Sequence, residues 1–299
     1  MKLTGLHLLL TYRCTLECEH CFVYGSPWQN GVMTIQAIDR ILQEARSLGT
    51  VKSIYFEGGE PFLYYATLVR AVEEASRLGF EVGTVTNAYW ATSPEDALLW
   101  LEPFAGLLAD LSVSSDLFHW NEADVRLAEN ARGAAGLLGI PVGTIEIAQP
   151  QKVDVGAPHG QLPSGESGVM FRGRAAEKLA AKVPQAPWDR YTTCPYEDLR
   201  DPGRLHVDPF GYVYICQGIS LGNLFHTPLG QIVASYDPDL HPITGPLLLG
   251  GPAELCHRYN LPHSETYADA CHECDALRRT LRERFPAILA PDEIYGVLN

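Results

Sequence analysis

The sequence predicts an α/β protein with a parallel sheet, followed by a smaller C-terminal unit. Apolar, strand-like runs alternate with segments of helical periodicity through the first half of the 299 residues, which is the pattern of consecutive β/α units. Glycine follows three of the helical segments, at Gly49, Gly79 and Gly139, where a left-handed residue commonly ends a helix. Nearer the C-terminus the alternation gives way to a predicted hairpin at 205–216 and a helix-like run at 271–285.

The elements follow from these patterns in chain order. Strands are predicted near 5–10, 51–56, 81–86, 107–113, 142–147 and 169–171, and helices near 35–48, 63–78, 94–101 and 121–138. Thr34 is predicted to cap the first helix, without a full capping box because Ala37 stands where Glu would. The Gly- and Pro-rich stretch 149–167 is predicted to be a loop, which either reaches over the sheet's carboxyl edge or is a surface excursion without a role.

Composition limits the classes of function. A net charge of −14 without any basic block argues against a nucleic-acid partner; it suits a cationic or neutral substrate, although solubility alone often explains an acidic surface. The N-terminal apolar run is too short for a secretory signal, and no stretch reaches the length of a membrane span. We therefore expect a cytoplasmic protein, in which eight cysteines indicate metal binding rather than disulfides.

Three closely spaced cysteines are the most informative feature. Cys14, Cys18 and Cys21 form a C-x3-C-x2-C pattern. A [4Fe-4S] cluster needs four ligands, one for each iron, and these ligands are usually thiolates. Three would hold three irons and leave the fourth iron free to bind another molecule. The alternative is part of a structural zinc site.

A glycine-rich turn follows the second predicted strand. Gly58, Gly59, Glu60 and Pro61 come directly after the apolar run that ends at Phe56. Glycines permit close backbone approach to a small ligand, and the Glu60 carboxylate can accept hydrogen bonds from an ammonium group. The alternative is an ordinary turn between a strand and a helix.

The triplet and this turn together resemble the radical S-adenosylmethionine (SAM) superfamily. The resemblance implies a partial (β/α)6 TIM-type barrel at 1–185, with its active site at the carboxyl ends of the strands. It also implies that the open iron chelates SAM, that reduction cleaves SAM to a 5'-deoxyadenosyl radical, and that this radical takes a hydrogen atom from a substrate carbon. Gly58, Gly59, Glu60 and Pro61 are then expected to bind SAM.

The resemblance extends to further SAM-binding positions. His20 stands where the family commonly has an aromatic residue against the adenine, and Asn87 ends the third strand in a sequence like the family's TNG, with alanine replacing glycine. Ser114 and Asp116 follow the fourth strand, where family members contact SAM or substrate, and Arg174 lies in a GRA sequence and is expected to clamp the SAM carboxylate. Each of these residues can also be explained as an ordinary loop or strand-end residue.

Four later cysteines resemble a second metal site. Cys194, Cys216 at the end of the hairpin, and the pair Cys271 and Cys274 at a helix start resemble the twitch domain, the shortened form of the SPASM domain. The resemblance implies an auxiliary [4Fe-4S] cluster within 186–299. A four-cysteine zinc site is the alternative.

Cys256 is then the cysteine left over. It is interpreted as a buried apolar residue, as a substitute cluster ligand, or as a hydrogen-atom donor to a substrate radical, which would make the protein an epimerase.

The leading functional prediction is hydrogen abstraction from a small polar substrate, such as an amino sugar or aminocyclitol, followed by oxidation or epimerisation. No segment resembles a leader-peptide or cobalamin domain, which favours a small molecule, and an electron donor such as flavodoxin or ferredoxin is expected. Peptide or protein side-chain modification is the second hypothesis. A non-catalytic, zinc-stabilised binding module is the third.

Overall fold

The computed structural model describes residues 1–120, 125–150 and 165–298. The chain builds alternating strands and helices up to residue 178, and then a mixed C-terminal region. The strands are β1 Gly5–Thr11, β2 Ser53–Gly58, β3 Glu81–Thr86, β4 Asp110–Ser114, β5 Val142–Ile147, β6 Gly165–Ser167, β7 Ala186–Pro187, β8 Arg204–Val207, β9 Tyr212–Cys216, β10 Ile219–Asn223 and β11 Thr266–Tyr267. The helices are α1 Ile35–Leu48, α2 Tyr65–Arg77, α3 Pro94–Leu101, α4 Val125–Leu137, α5 Arg174–Lys178, α6 Leu229–Ser235, α7 Thr244–Tyr259 and α8 Ala270–Leu281.

One large sheet organises these elements. Its nine strands lie in the order β10-β9-β8-β1-β2-β3-β4-β5-β6. Strands β1 to β6 pair in parallel with their neighbours, and β8 is parallel to β1, whereas β8, β9 and β10 are antiparallel. The predicted α/β class with a partial barrel is therefore confirmed, since each parallel strand brings its carboxyl end to the same edge.

The first helix shows why the periodicity was informative. Thr34 caps α1 through its hydroxyl, which accepts a hydrogen bond from the Ala37 amide at 3.1 Å, as predicted. Gly49 ends the helix in the left-handed region at φ 73°. One face of the helix is buried against the sheet through Ile38, Ile41, Leu42 and Ala45.

The sixth strand differs from the prediction. It spans Gly165–Ser167 and pairs with β5, whereas 169–171 was expected. Val169 and Phe171 are instead buried in a separate apolar cluster with Ala175 and Leu179. Burial in a cluster produces the same apolar signal as burial in a sheet, and this explains the error.

Other predicted bounds shift by a few residues. The predicted loop 149–167 lies largely outside the described residues, at 151–164, but its last three residues form β6. The predicted helix 121–138 is described only from Val125, and the predicted helix 63–78 is a short 3-10 turn followed by α2. The fourth strand starts at Asp110 rather than 107.

The C-terminal region continues the barrel sheet. Strand β8 pairs with β1, so that His206 lies beside His7, and the sheet therefore crosses the predicted domain boundary between residues 185 and 186. That boundary stays a prediction. Among the described residues no helix is long and apolar enough to cross a membrane, and the cytoplasmic location also stays a prediction.

Candidate functional site

A cavity of about 580 Å³ lies between the loop after β1 and the inner faces of the parallel strands. Cys14, Cys18 and Cys21 line one side of it. Its volume falls in the range typical of sites for small-molecule ligands and cofactors. The predicted cysteine triplet thus faces a cavity large enough to contain a ligand.

The cysteine loop is held compactly by backbone hydrogen bonds. The amides of Leu16 and Gly25 donate to the thiol sulfurs of Cys14 and Cys21, at 3.4 and 3.2 Å. Burial, with the nearby charges of Glu60 and Cys21, raises the pKa of Cys14 to about 12. Burial and the two neighbouring thiols also raise the pKa of Cys18. Crowded, buried thiols become stable thiolates when a metal supplies positive charge, so this donor set fits an iron-sulfur cluster.

Gly58 and Gly59 are required by the backbone that carries the cysteine loop. A Cβ on Gly58 would lie 2.3 Å from the Thr11 carbonyl oxygen, and one on Gly59 would lie 2.2 Å from that of Arg13. The Gly59 amide also donates to the Thr11 carbonyl at 2.7 Å. Both glycines line the cavity, where they are predicted to bind SAM. Their small size is needed in any case for the close contact with the backbone at Thr11 and Arg13.

Glu60 is held by hydrogen bonds within the protein. Its carboxylate is fully buried and accepts hydrogen bonds from the Thr86 hydroxyl at 2.9 Å and the amides of Phe62 and Asn87 at 3.0 and 2.7 Å. Neither Glu60 nor Pro61 belongs to the described lining of the cavity. The Glu60 oxygens therefore fix the end of β3 relative to β2, and the binding of SAM by Glu60 and Pro61 stays a prediction.

Three of the other predicted positions do line the cavity: His20, Asn87 and Ser114. The Asn87 side chain donates to the Thr15 hydroxyl at 3.1 Å and to the Cys14 sulfur at 3.6 Å. Burial lowers the pKa of His20 to about 3, so its ring is neutral, and a neutral flat ring can stack on a purine. Its buried Nδ1 has no partner among the described residues.

Asp116 positions neighbouring residues. One carboxylate oxygen lies 2.8 Å from Nδ1 of His119, and the other accepts from the Ile147 amide at 3.2 Å. Asp116 is not among the described cavity-lining residues, whereas His119 is. The His119 ring lies 4.9 Å from that of His20, and contact of Asp116 with SAM or substrate stays a prediction.

Arg174 also acts on the protein itself. Its guanidinium is buried and donates to the carbonyls of Cys18 and Gly25 at 2.8 and 3.0 Å, and its amide donates to the Cys21 carbonyl at 2.9 Å. These donors are directed at the cysteine loop, and the clamp on a SAM carboxylate stays a prediction. Arg174 holds that loop in place.

The second group of cysteines also comes together. Cys194, Cys216, Cys271 and Cys274 line one small cavity between β9, α8 and the segment before β8. Burial raises the pKa of Cys194 to about 11 and that of Cys274 to about 12, and neighbouring thiols contribute to both shifts. Four converging thiols suit either a [4Fe-4S] cluster or zinc.

Two buried arginines that the sequence reading missed accompany these four thiols. Arg172 donates to the Cys216 sulfur at 3.2 Å, and Arg278 lies along the same cavity. Both guanidiniums are almost fully buried, with 4% and 3% exposure. Buried cations beside thiols stabilise a negatively charged metal-thiolate centre. For Arg172 the available signal was the Arg-Gly-Arg sequence at 172–174, of which the sequence reading selected only Arg174.

Cys256 lies away from both groups. It is 3% exposed within the main apolar core, and its thiol contacts the Leu261 carbonyl at 3.6 Å. It lines neither cavity in the part of the chain that the structure describes. Its interpretation as a small buried apolar residue agrees with this packing, whereas its role as a hydrogen-atom donor stays a prediction that this position does not favour.

The cavity lining also contains polar residues that the sequence reading did not select. His7, Tyr55 and Glu57 come from β1 and β2, Asp110 from β4 and His206 from β8. The available signal was a charged or imidazole residue interrupting an otherwise apolar strand, as in GLHLLLT.

Known proteins resemble parts of this chain. Residues 8–119 match the model of the Radical SAM superfamily. The tungsten-containing aldehyde ferredoxin oxidoreductase cofactor-modifying protein of Pyrococcus furiosus is 36% identical over 83 residues, which are 27% of this chain and 23% of that protein. An S-adenosylmethionine-dependent nucleotide dehydratase of Fibrobacter sp. is 25% identical over 130 residues, 42% of this chain and 37% of that protein. Each match spans less than half of the relative's own length.

A solved structure shares the fold over most of the chain. BtrN in complex with AdoMet and 2-DOIA superposes with a TM-score of 0.54, covering 91% of this chain and 92% of that chain at 13% identity. At this identity the similarity concerns the fold alone.

Proposed function

Residues 8–119 belong to the Radical SAM superfamily, and from this premise we propose that the chain is an enzyme that reductively cleaves SAM and abstracts a hydrogen atom from a C–H bond of a small polar substrate. The observation that carries the proposal is the convergence of Cys14, Cys18 and Cys21 on one cavity of about 580 Å³. When bound, the cluster and SAM supply a 5'-deoxyadenosyl radical, which is the agent of hydrogen abstraction in this family.

The residues of the chain have separate tasks in this proposal. Cys14, Cys18 and Cys21 hold the cluster, while Arg174 holds the loop that carries them. Gly58 and Gly59 form the wall beside the cluster, and Asn87, Ser114 and His20 surround the remaining space for SAM. The inner faces of the strands exclude water from the reacting carbon, since most of their residues are buried.

We favour oxidation of the substrate over epimerisation. Epimerisation needs a group that returns a hydrogen atom to the substrate carbon, and Cys256 is packed in the core away from the cavity. Among the described residues, the thiols that line the cavity are those assigned to the cluster.

The four-cysteine group is proposed to hold a second [4Fe-4S] cluster, as in a twitch domain. Its support is the approach of four thiols together with the buried cations of Arg172 and Arg278. Cys194, Cys216, Cys271 and Cys274 would hold this cluster, which would supply an electron acceptor for oxidation of the substrate. A flavodoxin or ferredoxin is proposed as the reductant of the first cluster.

The test of the main proposal is SAM cleavage by protein purified and reconstituted without oxygen. We expect a coloured protein with iron and sulfide that forms 5'-deoxyadenosine and methionine after reduction with dithionite. The C14A/C18A/C21A variant is expected to form neither product, and C256A serves as the matched cysteine control with unchanged cleavage. A colourless protein that contains zinc and leaves SAM intact would refute the proposal.

The substrate class is tested by isotope transfer. Amino sugars and aminocyclitols carrying deuterium on carbon are added during SAM cleavage, and 5'-deoxyadenosine is analysed by mass spectrometry. Deuterium in that product identifies a molecule from which the enzyme takes hydrogen. Transfer only from peptides would favour side-chain modification instead.

A further inference from the structure

Three polar side chains from adjacent strands form one hydrogen-bonded group in the lining of the cavity. Glu57 lies between two histidines: one oxygen is 3.1 Å from Nδ1 of His7 and the other is 2.8 Å from Nδ1 of His206. The residues belong to β2, β1 and β8, and His7 is directly opposite His206 in the sheet register. We call this group the His-Glu-His group.

The carboxylate determines which nitrogen of each histidine carries hydrogen. Burial alone would raise the pKa of Glu57, but its electrostatic interactions and hydrogen bonds with His7 and His206 outweigh the effect of burial and hold the pKa below its usual range. An ionised carboxylate only accepts hydrogen bonds, so Nδ1 of each ring must be the donor. Burial lowers the pKa of His206, and a neutral ring with hydrogen on Nδ1 has a lone pair on Nε2.

Both Nε2 atoms remain available to a ligand. The side chains of His7 and His206 are 12% and 7% exposed, and both residues line the cavity. Among the described residues neither Nε2 has a hydrogen-bond partner, and neither is a buried unpartnered atom. With both rings neutral, the group presents two hydrogen-bond acceptors to the cavity, backed by the negative charge of Glu57.

The surrounding side chains strengthen this character. The Tyr55 ring stacks on His7 at 4.9 Å and 15° and fixes its plane. Asp110 also lines the cavity, where it accepts a hydrogen bond from the Ser112 hydroxyl at 2.8 Å. Arg204 is also in the lining, but its guanidinium is directed to Glu197 at 3.4 Å.

We propose that the His-Glu-His group is a substrate-binding subsite that takes hydroxyl or ammonium groups and rejects carboxylates and phosphates. An anion there would meet the negative charge and two lone pairs, whereas an aminated polyol supplies donors to both histidines. This inference rests on the proposed function, because it concerns the substrate of the same cavity, and it names the chemical feature by which the substrate is recognised.

Binding of three sugars tests the subsite without any turnover. Glucosamine, glucose and glucuronate are titrated calorimetrically into cluster-loaded protein with SAM, without reductant and without oxygen. We expect glucosamine and glucose to bind, and glucuronate, which differs from glucose by a carboxylate at one carbon, to bind at least about tenfold more weakly.

Replacement of the central carboxylate gives the sharpest variant. In Glu57→Gln, the amide oxygen can still accept from one Nδ1, but the amide nitrogen must donate to the other, so that this histidine presents Nε2–H to the cavity. We expect about a tenfold loss of glucosamine affinity, because one hydrogen bond to the sugar is lost and the Nε2–H of this histidine then faces a donor of the sugar. His7→Gln is the second variant, since it keeps a donor to Glu57 and changes one acceptor. Glu254→Gln is the matched control with unchanged affinity, because Glu254 is a partly exposed residue of α7 that pairs with Arg258 and does not belong to the described lining of the cavity.

Three results would overturn the inference: equal affinity for glucose and glucuronate, no binding of any of the three sugars to the unaltered protein, or unchanged glucosamine binding in both folded variants. One equivalent of a divalent metal that the Glu57→Gln variant lacks would also overturn it, because the three side chains would then be metal ligands. Failure of the proposed function is separate. It would appear as absent SAM cleavage in protein that still binds glucosamine.

Discussion

Two arginines separated by one glycine connect the two groups of cysteines. Arg174 donates to carbonyls of the first cysteine loop, and Arg172 donates to the sulfur of Cys216 in the second group. Gly173 between them has φ 60°, and a Cβ there would lie 2.7 Å from the backbone of Phe22. A short stretch of chain therefore depends on three side-chain identities to hold both proposed metal sites in position.

Replacement of Arg174 should weaken the first cluster. In Arg174→Lys, a single ammonium group cannot reach the Cys18 and Gly25 carbonyls with the geometry of a planar guanidinium. Changes to groups that orient metal ligands typically lower metal affinity by roughly tenfold or more. We expect faster bleaching of the visible cluster absorption by a chelator, measured on anaerobic protein.

Arg190→Lys, on an exposed turn, is the matched control and should bleach like the unaltered protein. Equal bleaching rates in Arg174→Lys and the unaltered protein would contradict the positioning role of Arg174.

Gly83 should be intolerant of a methyl group because of Tyr55. A Cβ at this β3 position would lie 2.3 Å from the Tyr55 ring, which itself stacks on His7. We expect Gly83→Ala to lower the melting temperature and to weaken glucosamine binding, since displacement of the tyrosine releases the histidine plane. Unchanged binding with a native melting temperature would show that the ring has room to move.

Among the helices and strands, local patterns were more predictable than the direction of individual side chains. The bounds of α1, α3, β3 and β5 follow from apolar periodicity and caps. The contacts of Glu60 could not be predicted in this way, because its partners Thr86 and Asn87 are brought close to it only by the pairing of β2 with β3. The spacing of residues along the sequence does not show which side chains meet between paired strands.

The His-Glu-His group was missed by the sequence reading for the same reason. His7, Glu57 and His206 are separated by 50 and 149 residues along the chain, and they meet because β8 returns to pair with β1. The convergence of the four later cysteines was predictable, because a cysteine at each end of a hairpin region and a C-x2-C pair at a helix start resemble a four-thiol metal site.

Cys256 should be replaceable within α7. Its side chain packs in the apolar core without contact to either cavity. We expect Cys256→Ala to cost about 1 kcal/mol of stability, a common value for a small buried truncation, and to leave iron content and SAM cleavage unchanged. Loss of turnover with intact SAM cleavage, together with disappearance of solvent deuterium from the product, would instead restore the hydrogen-donor hypothesis.

In helix α4, replacement of a glycine by alanine is expected to stabilise the protein, in contrast to the replacement at Gly83. Gly133 lies in the helix interior, is exposed, and has no atom within 4 Å of an added Cβ. Gly133→Ala is expected to stabilise the protein by about 0.5–1 kcal/mol, because glycine is entropically unfavourable in a helix. Chemical unfolding measures this gain, and the variant is the alanine control for Gly83→Ala. A loss of stability would contradict the open environment of this position.

For the molecule as a whole, the continuous sheet couples the barrel to the C-terminal region. The Asp208 carboxylate, at the turn after β8, accepts hydrogen bonds from the hydroxyls of Tyr12 at 2.9 Å and Tyr214 at 2.6 Å. Its other oxygen accepts from the amides of Phe210 and Tyr212 at 3.0 and 2.9 Å. Four donors from both sides of the predicted domain boundary therefore meet at one fully buried side chain.

Asp208→Asn should consequently destabilise the barrel and the C-terminal region together. In either orientation the amide nitrogen faces two donors, from the tyrosine hydroxyls or from the backbone amides, and an unsatisfied buried polar group costs about 2 kcal/mol. We expect one cooperative unfolding transition, shifted to lower denaturant concentration, when far-ultraviolet circular dichroism and tryptophan fluorescence are compared. Asp189→Asn, on an exposed turn, should unfold like the unaltered protein. Two separate transitions, only one of which shifts, would mean that the region after residue 185 unfolds independently of the barrel despite the shared sheet.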